Sequence, residues 1–597
     1  SDQCLDWIDT AAVLEEDQAH LNIFLGSGGG SDGNTHFSDN FMQNLWECLP
    51  DFDNQRTKKK NLDERTRTQN AIFGTPISSL VAKRTASLYD SGLIGGPNAG
   101  QGFERGSYLN PWDFVLCLEG AIVFSGAPTK RYGVGYPGQA AFPFQVEMTP
   151  VGYGSAVQKE RGAREIWMPL WQNPARFPEL RIVFAEGRAT YRQSQARNGL
   201  DFARAVALLG IDRGIRSFVR YGIVKGRVGG ENYNTAVALS RPDVCYREDV
   251  DLLGEIDPWL DGFRKAISDK NTPPRFQATL RQIERSIFDF CQYGKSSRFA
   301  DILCSFGKAE RELAGAEKFR EDKRIAPVGG LTQDWLRAAN DGSVEFELAL
   351  ALACVYDPAS KIGPIRANLE PVTNAKKPQW AEKERCVVWN QADLTSNLCA
   401  VLERRLMDAK RAGCSTLPID SGRTARLGAV AMFLHGLTDD NRIEELLWGC
   451  ILVRPPYKEL KLRLHNLQDS PPIPRSYALL KHVFLPRPLE LQSGEQIEIR
   501  PETAVVSLLR AGRISDACSI AVRRLRAAGV IPMPHSRAGQ SGRKNAWSES
   551  QASQVDGKRL AAALLIPISS QSIRGLSRMV LREQAEIPEE ENNGGIV

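Results

Sequence analysis

The sequence predicts an α+β protein that is predominantly α-helical, in which an irregular mixed N-terminal domain is followed by helical domains. The first 150 residues alternate short helical patterns with strand-like runs and Gly-rich loops, and from about residue 257 apolar side chains recur at helical spacing. A length of 597 residues suits about two to four domains, and 42% hydrophobic with 25% charged residues is typical of globular chains.

Two domains are predicted in the N-terminal half, a mixed domain at 1–150 and an Arg-rich α/β segment at 151–256. Runs of β-branched and aromatic residues predict strands, and apolar spacing of three and four residues predicts helices. In chain order we predict strands at 114–124 and 140–148, helices at 200–210 and 212–221 in a helix-turn-helix-like pair, and strands at 221–224 and 234–240 around a loop at 225–232.

The rest of the chain is predicted to be helical. A mainly helical domain at 257–453 contains amphipathic helices at 274–293, 335–355 and 397–412. A Pro-rich linker at 454–488 precedes a basic helical part at 489–587, and an acidic, Gly-rich tail at 588–597 is expected to be disordered.

Arginines greatly outnumber lysines, although the formal net charge of the chain is only +5. The 76 basic residues include 23 lysines, so 53 are arginines, whose planar guanidinium suits phosphates and stacked bases. Residues 181–230 carry ten basic side chains against three acids, and residues 500–559 carry eleven against four. Each segment therefore has a charge of +7 and is a candidate polyanion surface.

The strongest local signal is a cluster of arginines in the predicted helix 212–221. Arg213, Arg216 and Arg220 would share one helical face, opposite an apolar face, with Lys225 and Arg227 just beyond. No acid lies between Arg213 and Arg227 to relieve the repulsion. The cluster either binds nucleic acid or an acidic partner, or forms salt bridges with acids elsewhere in the fold.

Other candidate nucleic-acid-binding residues lie near Gly-rich loops or in the basic segments. The pattern at 28–33 satisfies the dinucleotide-binding spacing, but its predicted helix begins too late, so a mobile surface loop or a phosphate-approaching loop is favoured over a cofactor site. The further candidates are Gly28, Gly29, Lys83, Arg84, Lys130, Arg131, Tyr132, Arg188, Arg192, Arg197, Arg523, Arg524, Arg543 and Lys544.

We expect neither catalytic residues nor a metal or cofactor. The twelve cysteines occur without a C-x-x-C pair, the six histidines lie outside helical reach of one another, and no P-loop, G-x-S-x-G or H-E-x-x-H motif is present. No apolar run is long enough to cross a bilayer. The sequence predicts a cytoplasmic protein that is not an enzyme.

Several short motifs, in one order over roughly residues 20–240, resemble the large subunit of the type I-G (formerly I-U) CRISPR effector complex, Cascade. Each motif alone is weak, but the ordered set is specific. The motifs are GSGG at 26–29, FSDNFM at 37–42, PWDF at 111–114, LEG at 118–120, AFPF at 141–144, GYGS at 152–155, EIWMPLW at 165–171, EGRA at 186–189, GLDFARAV at 199–206 and DRGI at 212–215. Fainter similarity continues at 335–353 and from 474 to the C-terminus.

The resemblance implies a non-catalytic subunit at the end of the complex that holds the 5′ end of the CRISPR RNA. It would recognise the protospacer-adjacent motif, aid duplex opening, stabilise the R-loop and dock a recruited helicase-nuclease. The implied partners are Cascade backbone subunits, a guide-end and guide-processing subunit, CRISPR RNA and target double-stranded DNA, with no membrane. The C-terminal helices with Arg523, Arg524, Arg526, Arg543 and Lys544 would do the work of a separate small subunit.

Two other functions fit the sequence less well. A structural scaffold subunit would use the basic patches for contacts with acidic proteins and would not read DNA. A cofactor-dependent oxidoreductase would bind a dinucleotide at the Gly-rich loops.

Overall fold

The computed structural model divides the chain into two compact units, Ser1–Asp251 with Ile287–Tyr293, and Leu252–Ser286 with Gly294–Val597. The structure describes residues 2–14, 19–22, 37–49, 58–77, 80–82, 108–129, 139–149, 164–185, 190–191, 194–209, 214–228, 231–269, 272–357, 362–373, 378–381, 386–414, 417–454, 464, 466–467, 469–491, 494–533 and 555–581. None of the described helices is long and apolar enough to cross a lipid bilayer.

The first unit mixes helices and short strands. In chain order they are α1 (Asp2–Ala11), β1 (Ala12–Leu14), β2 (Ala19–Leu21), α2 (Phe37–Cys48), α3 (Lys58–Phe73), β3 (Val81–Ala82), β4 (Tyr108–Leu109), α4 (Pro111–Gly120), a 3-10 helix (Ala121–Phe124), β5 (Ala127–Thr129), β6 (Gln139–Ala141), β7 (Gln145–Glu147), β8 (Arg164–Trp171), α5 (Phe177–Ala185), β9 (Thr190–Tyr191), β10 (Ser194–Gln195), α6 (Gly199–Leu209), β11 (Ile215–Val228) and β12 (Glu231–Ser240).

A four-stranded antiparallel sheet, in the order β12-β11-β8-β7, organises the first unit. The long hairpin of β11 and β12 closes at the Val228–Glu231 pair, and β8 lies between β11 and β7. Aromatic side chains form the core against this sheet. Trp167 of β8 stacks on Phe202 of α6 with ring centroids 4.7 Å apart, and Phe218 of β11 meets Phe202 edge to face at 5.6 Å.

The second unit is almost entirely helical. A 3-10 helix (Glu248–Glu255) contains the chain boundary between the units, and α8 ends with the seven residues that belong to the first unit. The other elements are α7 (Asp257–Ile267), α8 (Pro274–Tyr293), α9 (Ser296–Ala314), α10 (Glu317–Asp322), α11 (Asp334–Ala339), α12 (Val344–Ala353), β13 (Val355–Tyr356), α13 (Arg366–Leu369), α14 (Leu394–Arg411), β14 (Asp420–Ser421), α15 (Leu427–Leu434), α16 (Asp440–Cys450), α17 (Arg475–Lys481), β15 (Leu489–Glu490), β16 (Gln496–Ile497), α18 (Thr503–Arg510), α19 (Ile514–Ala527), α20 (Gly557–Leu565) and α21 (Ser570–Val580).

Helices α9 and α16 pack closely because each presents a glycine to the other. A Cβ on Gly307 would lie 2.6 Å from the backbone nitrogen of Gly449, and a Cβ on Gly449 would lie 2.9 Å from the backbone carbonyl oxygen of Leu303. Any side chain at either position would force the helices apart, because backbone atoms cannot move aside as a flexible side chain does.

Two buried basic side chains hold the second unit together by hydrogen bonds. Lys481, at the end of α17, donates from Nζ to the carbonyl oxygens of Leu564 and Ile566 at 2.6 and 2.9 Å, and so caps the C-terminal end of α20. Arg366 lies between two buried carboxylates and bonds Glu310 at 2.8 Å as well as Glu370. The bonds from Lys481 to α20 and from Arg366 to Glu310 join segments that are distant in sequence.

The predicted fold class is confirmed, and so are several helices. The helix predicted at 274–293 matches α8, the one at 397–412 matches α14 apart from its ends, and the one at 200–210 matches α6. The stretch predicted as one helix at 335–355 forms α11 and α12, since Ser343 caps a new helix by accepting a hydrogen bond from the backbone N–H of Phe346. The predicted linker contains α17, whose residues are almost all buried.

Three predicted elements of the first unit are wrong. Residues 114–124 form α4 and a 3-10 helix instead of a strand, because Asn110 caps the helix and Pro111 occupies its first turn. Residues 215–221 are strand instead of helix, and the predicted loop at 225–232 is mostly strand. The dense β-branched and aromatic residues of β11 outweigh the helical spacing of its arginines.

Candidate nucleic-acid interface

Arg216 is an exposed arginine at the start of β11. The pairing of β11 with β8 shifts register between Ile215 and Ser217, so Arg216 lies in a β-bulge without a partner on β8. A bulge changes the alternation of side chains along a strand. Arg216 is therefore exposed whereas Arg220, four residues later, is buried. The carbonyl of Arg216 accepts a hydrogen bond from the backbone N–H of Val244 at 2.9 Å, which fixes the backbone of the bulge.

Arg220 is part of the core and forms a buried ion pair. Its side chain is 1% exposed and that of Glu165 is fully buried, with Nη2 of Arg220 2.5 Å and Nε 3.0 Å from Oε2 of Glu165. Nη2 also donates to the carbonyl of Thr149 at 2.8 Å, and the guanidinium lies 4.7 Å from the ring centroid of Phe288. The other carboxylate oxygen of Glu165 accepts a hydrogen bond from Trp167 Nε1 at 2.8 Å.

The carboxylate of Glu165 occupies the space above the first residue of α6. A Cβ on Gly199 would lie 1.7 Å from Oε1 of Glu165, so the carboxylate fits only because this position is a glycine. Asn198 caps the same helix by accepting from the backbone N–H groups of Leu200 and Asp201 at 3.0 Å. The positive end of the helix dipole favours a negative charge at this place.

A single helical face of Arg213, Arg216 and Arg220 is therefore a wrong prediction. For Arg220 the alternative of a salt bridge inside the fold is the correct one, because a phosphate could reach it only after the buried pair was broken. Arg216 stays available to a partner.

The other described candidates lie at separate places. Arg197 is exposed just before α6, and its carbonyl accepts from the backbone N–H of Glu147. Lys225 and Arg227 lie in β11 opposite Asn234 and Asn232 of β12. Arg523 and Arg524 are exposed on α19, and Arg524 forms an ion pair with Glu502. Outside the described residues lie Gly28, Gly29, Lys83, Arg84, Lys130, Arg131, Tyr132, Arg188, Arg192, Arg213, Arg543 and Lys544.

An open cleft of about 870 Å³ lies within the first unit, between the sheet and the helices α4 and α5. One wall is the end of β8 from Met168 to Trp171 together with Val219 and Tyr221 of β11. Phe124 and Phe184, in edge-to-face contact at 4.7 Å, also line it. Most of its lining is apolar and aromatic, which is typical of small-ligand sites.

Large apolar side chains at this cleft are unusually open to solvent. Trp171 is 42% exposed, Leu116 48% and Phe177 52%. Trp171 is the strand partner of Ile215, the residue before Arg216, so the exposed aromatic residue and the exposed arginine belong to the same end of the sheet. Arg176, also exposed, directly precedes Phe177.

Three titratable groups line the cleft. Burial raises the pKa of the Asp113 carboxyl and of the Tyr221 hydroxyl. Burial of the Cys117 thiol, with the charge of Asp113 as a second cause, raises its pKa to about 11, although the residue as a whole is exposed. A thiol with so high a pKa is protonated at neutral pH and is a poor nucleophile.

The cleft was missed by sequence reasoning because α4 was predicted as a strand. The Asn110–Pro111 start signal of α4 was available in the sequence. It would have placed Phe114 and Cys117 three residues apart on one helical face, as the structure has them in the cleft lining.

Among the described residues, no group of three or more His, Cys, Asp or Glu side chains could hold a metal ion. A scan against protein-family models finds no match, and no curated protein matches the sequence significantly.

Proposed function

We propose that this chain is the non-catalytic large subunit of a type I-G Cascade, an RNA-guided DNA surveillance complex. The observation that carries the proposal is the ordered set of motifs over residues 20–240 that resembles this family. In this role the chain recognises the protospacer-adjacent motif, aids duplex opening, stabilises the R-loop and docks a helicase-nuclease. It works in the cytoplasm beside the backbone and guide-end subunits, the CRISPR RNA and the target duplex.

Three of the motifs coincide with the elements that build the centre of the first unit. The motif at 165–171 is β8 without its first residue, the motif at 199–206 is the main part of α6, and the motif at 212–215 leads into β11. Glu165 and Gly199 lie in two of these motifs and meet at the buried ion pair with Arg220. An ordered motif set that converges on one packed centre supports common ancestry better than scattered surface matches do.

The chemistry of the exposed residues fits the role. Base pairing by the guide reads most of the target, so the protein needs a short duplex contact and clamps on phosphates. Arg216, exposed in the bulge, is suited to clamp a phosphate because its carbonyl is bonded by the backbone N–H of Val244 while its side chain faces solvent. Arg197, Arg523 and Arg526 are further exposed candidates.

The test compares target-duplex binding by the guide-loaded complex with and without this chain, for a permissive and a scrambled adjacent motif over a salt series. We expect motif discrimination to disappear without the chain. The logarithm of the association constant falls linearly with the logarithm of the salt concentration. In Arg216→Ala the magnitude of this slope should be smaller by about 1, since one phosphate contact is lost. The matched control is Arg337→Ala, an arginine of α11 in the second unit that is 57% exposed. Binding and discrimination that survive removal of the chain would contradict the proposal.

A scaffold subunit is the second candidate, and an apolar stripe on α2 favours it. Met42, Trp46 and Leu49 follow one another at spacings of four and three residues and are 61%, 64% and 45% exposed. Exposed apolar residues grouped on one helix are typical of protein–protein contact sites. A scaffold would not retain duplex DNA or heparin at moderate salt, and Met42→Ser with Trp46→Ser would release partner subunits without changing DNA affinity.

A further inference from the structure

We propose that the cleft of the first unit binds an unpaired nucleobase of a single strand, stacked against Trp171, with the adjoining phosphate near Arg216. This inference rests on the proposed function, because it names the part of the nucleic acid that the chain would hold. A duplex end that is being opened exposes such bases.

The shape and lining of the cleft suit a base. A volume of about 870 Å³ is ample for an unstacked nucleotide. A base has two apolar faces and a polar edge, and aromatic side chains bind its faces without regard to sequence. Trp171 and Phe177 are half exposed in the free protein, so burial under a base removes apolar surface that now faces water.

Polar groups of the cleft can engage the edge of the base. The Asp113 carboxylate accepts hydrogen bonds, and the Tyr221 hydroxyl donates or accepts one. Cytosine, adenine and guanine carry an exocyclic amino group that donates to a carboxylate, and thymine does not. The cleft is therefore expected to prefer amino-bearing bases over thymine.

Charge at the same end of the sheet distinguishes a nucleic acid from an apolar peptide as the occupant. Arg216 follows the strand partner of Trp171, and Arg176 precedes Phe177. Two exposed arginines, each next in the chain to a residue that lines the cleft or pairs with its Trp171, are complementary to a chain of bases and phosphates. A peptide occupant would need acidic residues at two fixed positions to gain as much.

The experiment measures binding of the full chain to a labelled single-stranded oligonucleotide and to the same backbone with abasic sites throughout, at two salt concentrations. Trp171→Ala is expected to weaken binding of the intact strand about fivefold to a hundredfold and to change binding of the abasic strand little. Phe177→Ala is a second variant with the same expectation. The matched control, Phe73→Ala, removes an aromatic residue that is 74% exposed at the end of α3 and does not line the cleft, and it should bind both strands as the parent does. Asp113→Asn should abolish a preference for oligo-dC over oligo-dT.

The outcomes separate this inference from the proposed function. If Trp171→Ala and Phe177→Ala bind the intact strand as tightly as the parent, or lose equal affinity for intact and abasic strands, the base-binding cleft is overturned. If Arg216→Ala still weakens the binding of both strands in that case, the proposed nucleic-acid-binding function is supported without the base-binding cleft. A parent chain that binds neither strand contradicts both, and a cleft that takes up an apolar peptide in preference to the intact strand overturns the nucleobase as occupant.

Discussion

Removal of Arg220 is expected to destabilise the first unit while leaving unchanged the exposed side chain of Arg216, which we propose as a phosphate contact. In Arg220→Met the apolar stem is kept, but Glu165 loses both hydrogen bonds to Oε2 and the carbonyl of Thr149 loses its donor. Glu165 is fully buried, so its charge would have no cation beside it and no water to replace it.

The expected loss is about 3–5 kcal/mol, the range for removing one partner of a buried ion pair. At about 2–4 °C per kcal/mol for a unit of this size, the midpoint of thermal unfolding of the first unit should fall by roughly 6–20 °C. Arg216→Met, the matched control in the same strand, should change the free energy of unfolding by no more than about 0.5 kcal/mol because Arg216 is exposed.

A double variant tests whether the ion pair itself causes the loss. In Glu165→Gln with Arg220→Met no buried charge remains, and the side-chain amide that replaces the carboxylate still offers an oxygen to Trp167 Nε1. The double variant should therefore recover most of the stability that Arg220→Met loses. Hydrogen exchange of the backbone amides of β8 and β11 in urea reports on the first unit alone. At a temperature where all variants are folded, DNA binding should be weaker and less dependent on salt in Arg216→Met, and should be unchanged in Arg220→Met. An Arg220→Met variant that loses less than about 1 kcal/mol, or a double variant whose losses simply add, would refute the assignment.

Three further changes probe buried contacts. Gly199→Ala should destabilise the first unit by about 1–3 kcal/mol, seen by the same hydrogen exchange, since the new Cβ meets the Glu165 carboxylate; unchanged exchange would contradict this. Burial lowers the pKa of Lys481 from 10.5 to about 7, so the unfolded chain binds more protons between these values and stability should rise with pH, by up to about 1.4 kcal/mol per unit. Lys481→Met should remove this rise in the free energy of unfolding, measured by urea unfolding from pH 7 to 10. A rise that persists in the variant would show that other groups cause it. Burial, with the neighbouring Glu370, raises the pKa of Glu310 well above 4.5, so the stability from this group is present below pH 4.5 and is lost as the pH rises. Glu310→Gln should therefore reduce the decline in the free energy of unfolding above pH 4.5. An unchanged decline in Glu310→Gln would contradict this assignment to Glu310.

Helices with a regular apolar face were predictable from the sequence. In α8, Phe276, Ile283 and Ile287 recur at spacings of seven and four residues, and all three are fully buried. A pattern of this length depends on one helix and its own periodicity. Neither distant residues nor exact register are needed to recognise it.

The strands of the first unit could not be recovered in the same way. In β11 the side chains between Ile215 and Tyr221 do not alternate regularly, because a bulge shifts the register against β8. A bulge depends on the partner strand, which lies some fifty residues earlier in the chain. The two residues that separate β11 from β12 are both glycines, and this hairpin signal was the local feature that could have changed the prediction.

The bulge also explains how one Arg-rich strand can supply both a buried ion-pair partner, Arg220, and an exposed arginine, Arg216. In a regular strand Arg216 and Arg220, four residues apart, would lie on the same face, and both would be buried or both exposed. The extra residue at the bulge places Arg220 against Glu165 inside the unit and leaves Arg216 outside. Deleting one residue of the bulge should therefore either bury Arg216 or expel Arg220 from its ion pair. Either change would leave a buried charge without a partner, and such a charge costs more free energy than the strand pairing supplies. We therefore expect the hairpin of β11 and β12 to lose its pairing with β8 rather than pair in the new register.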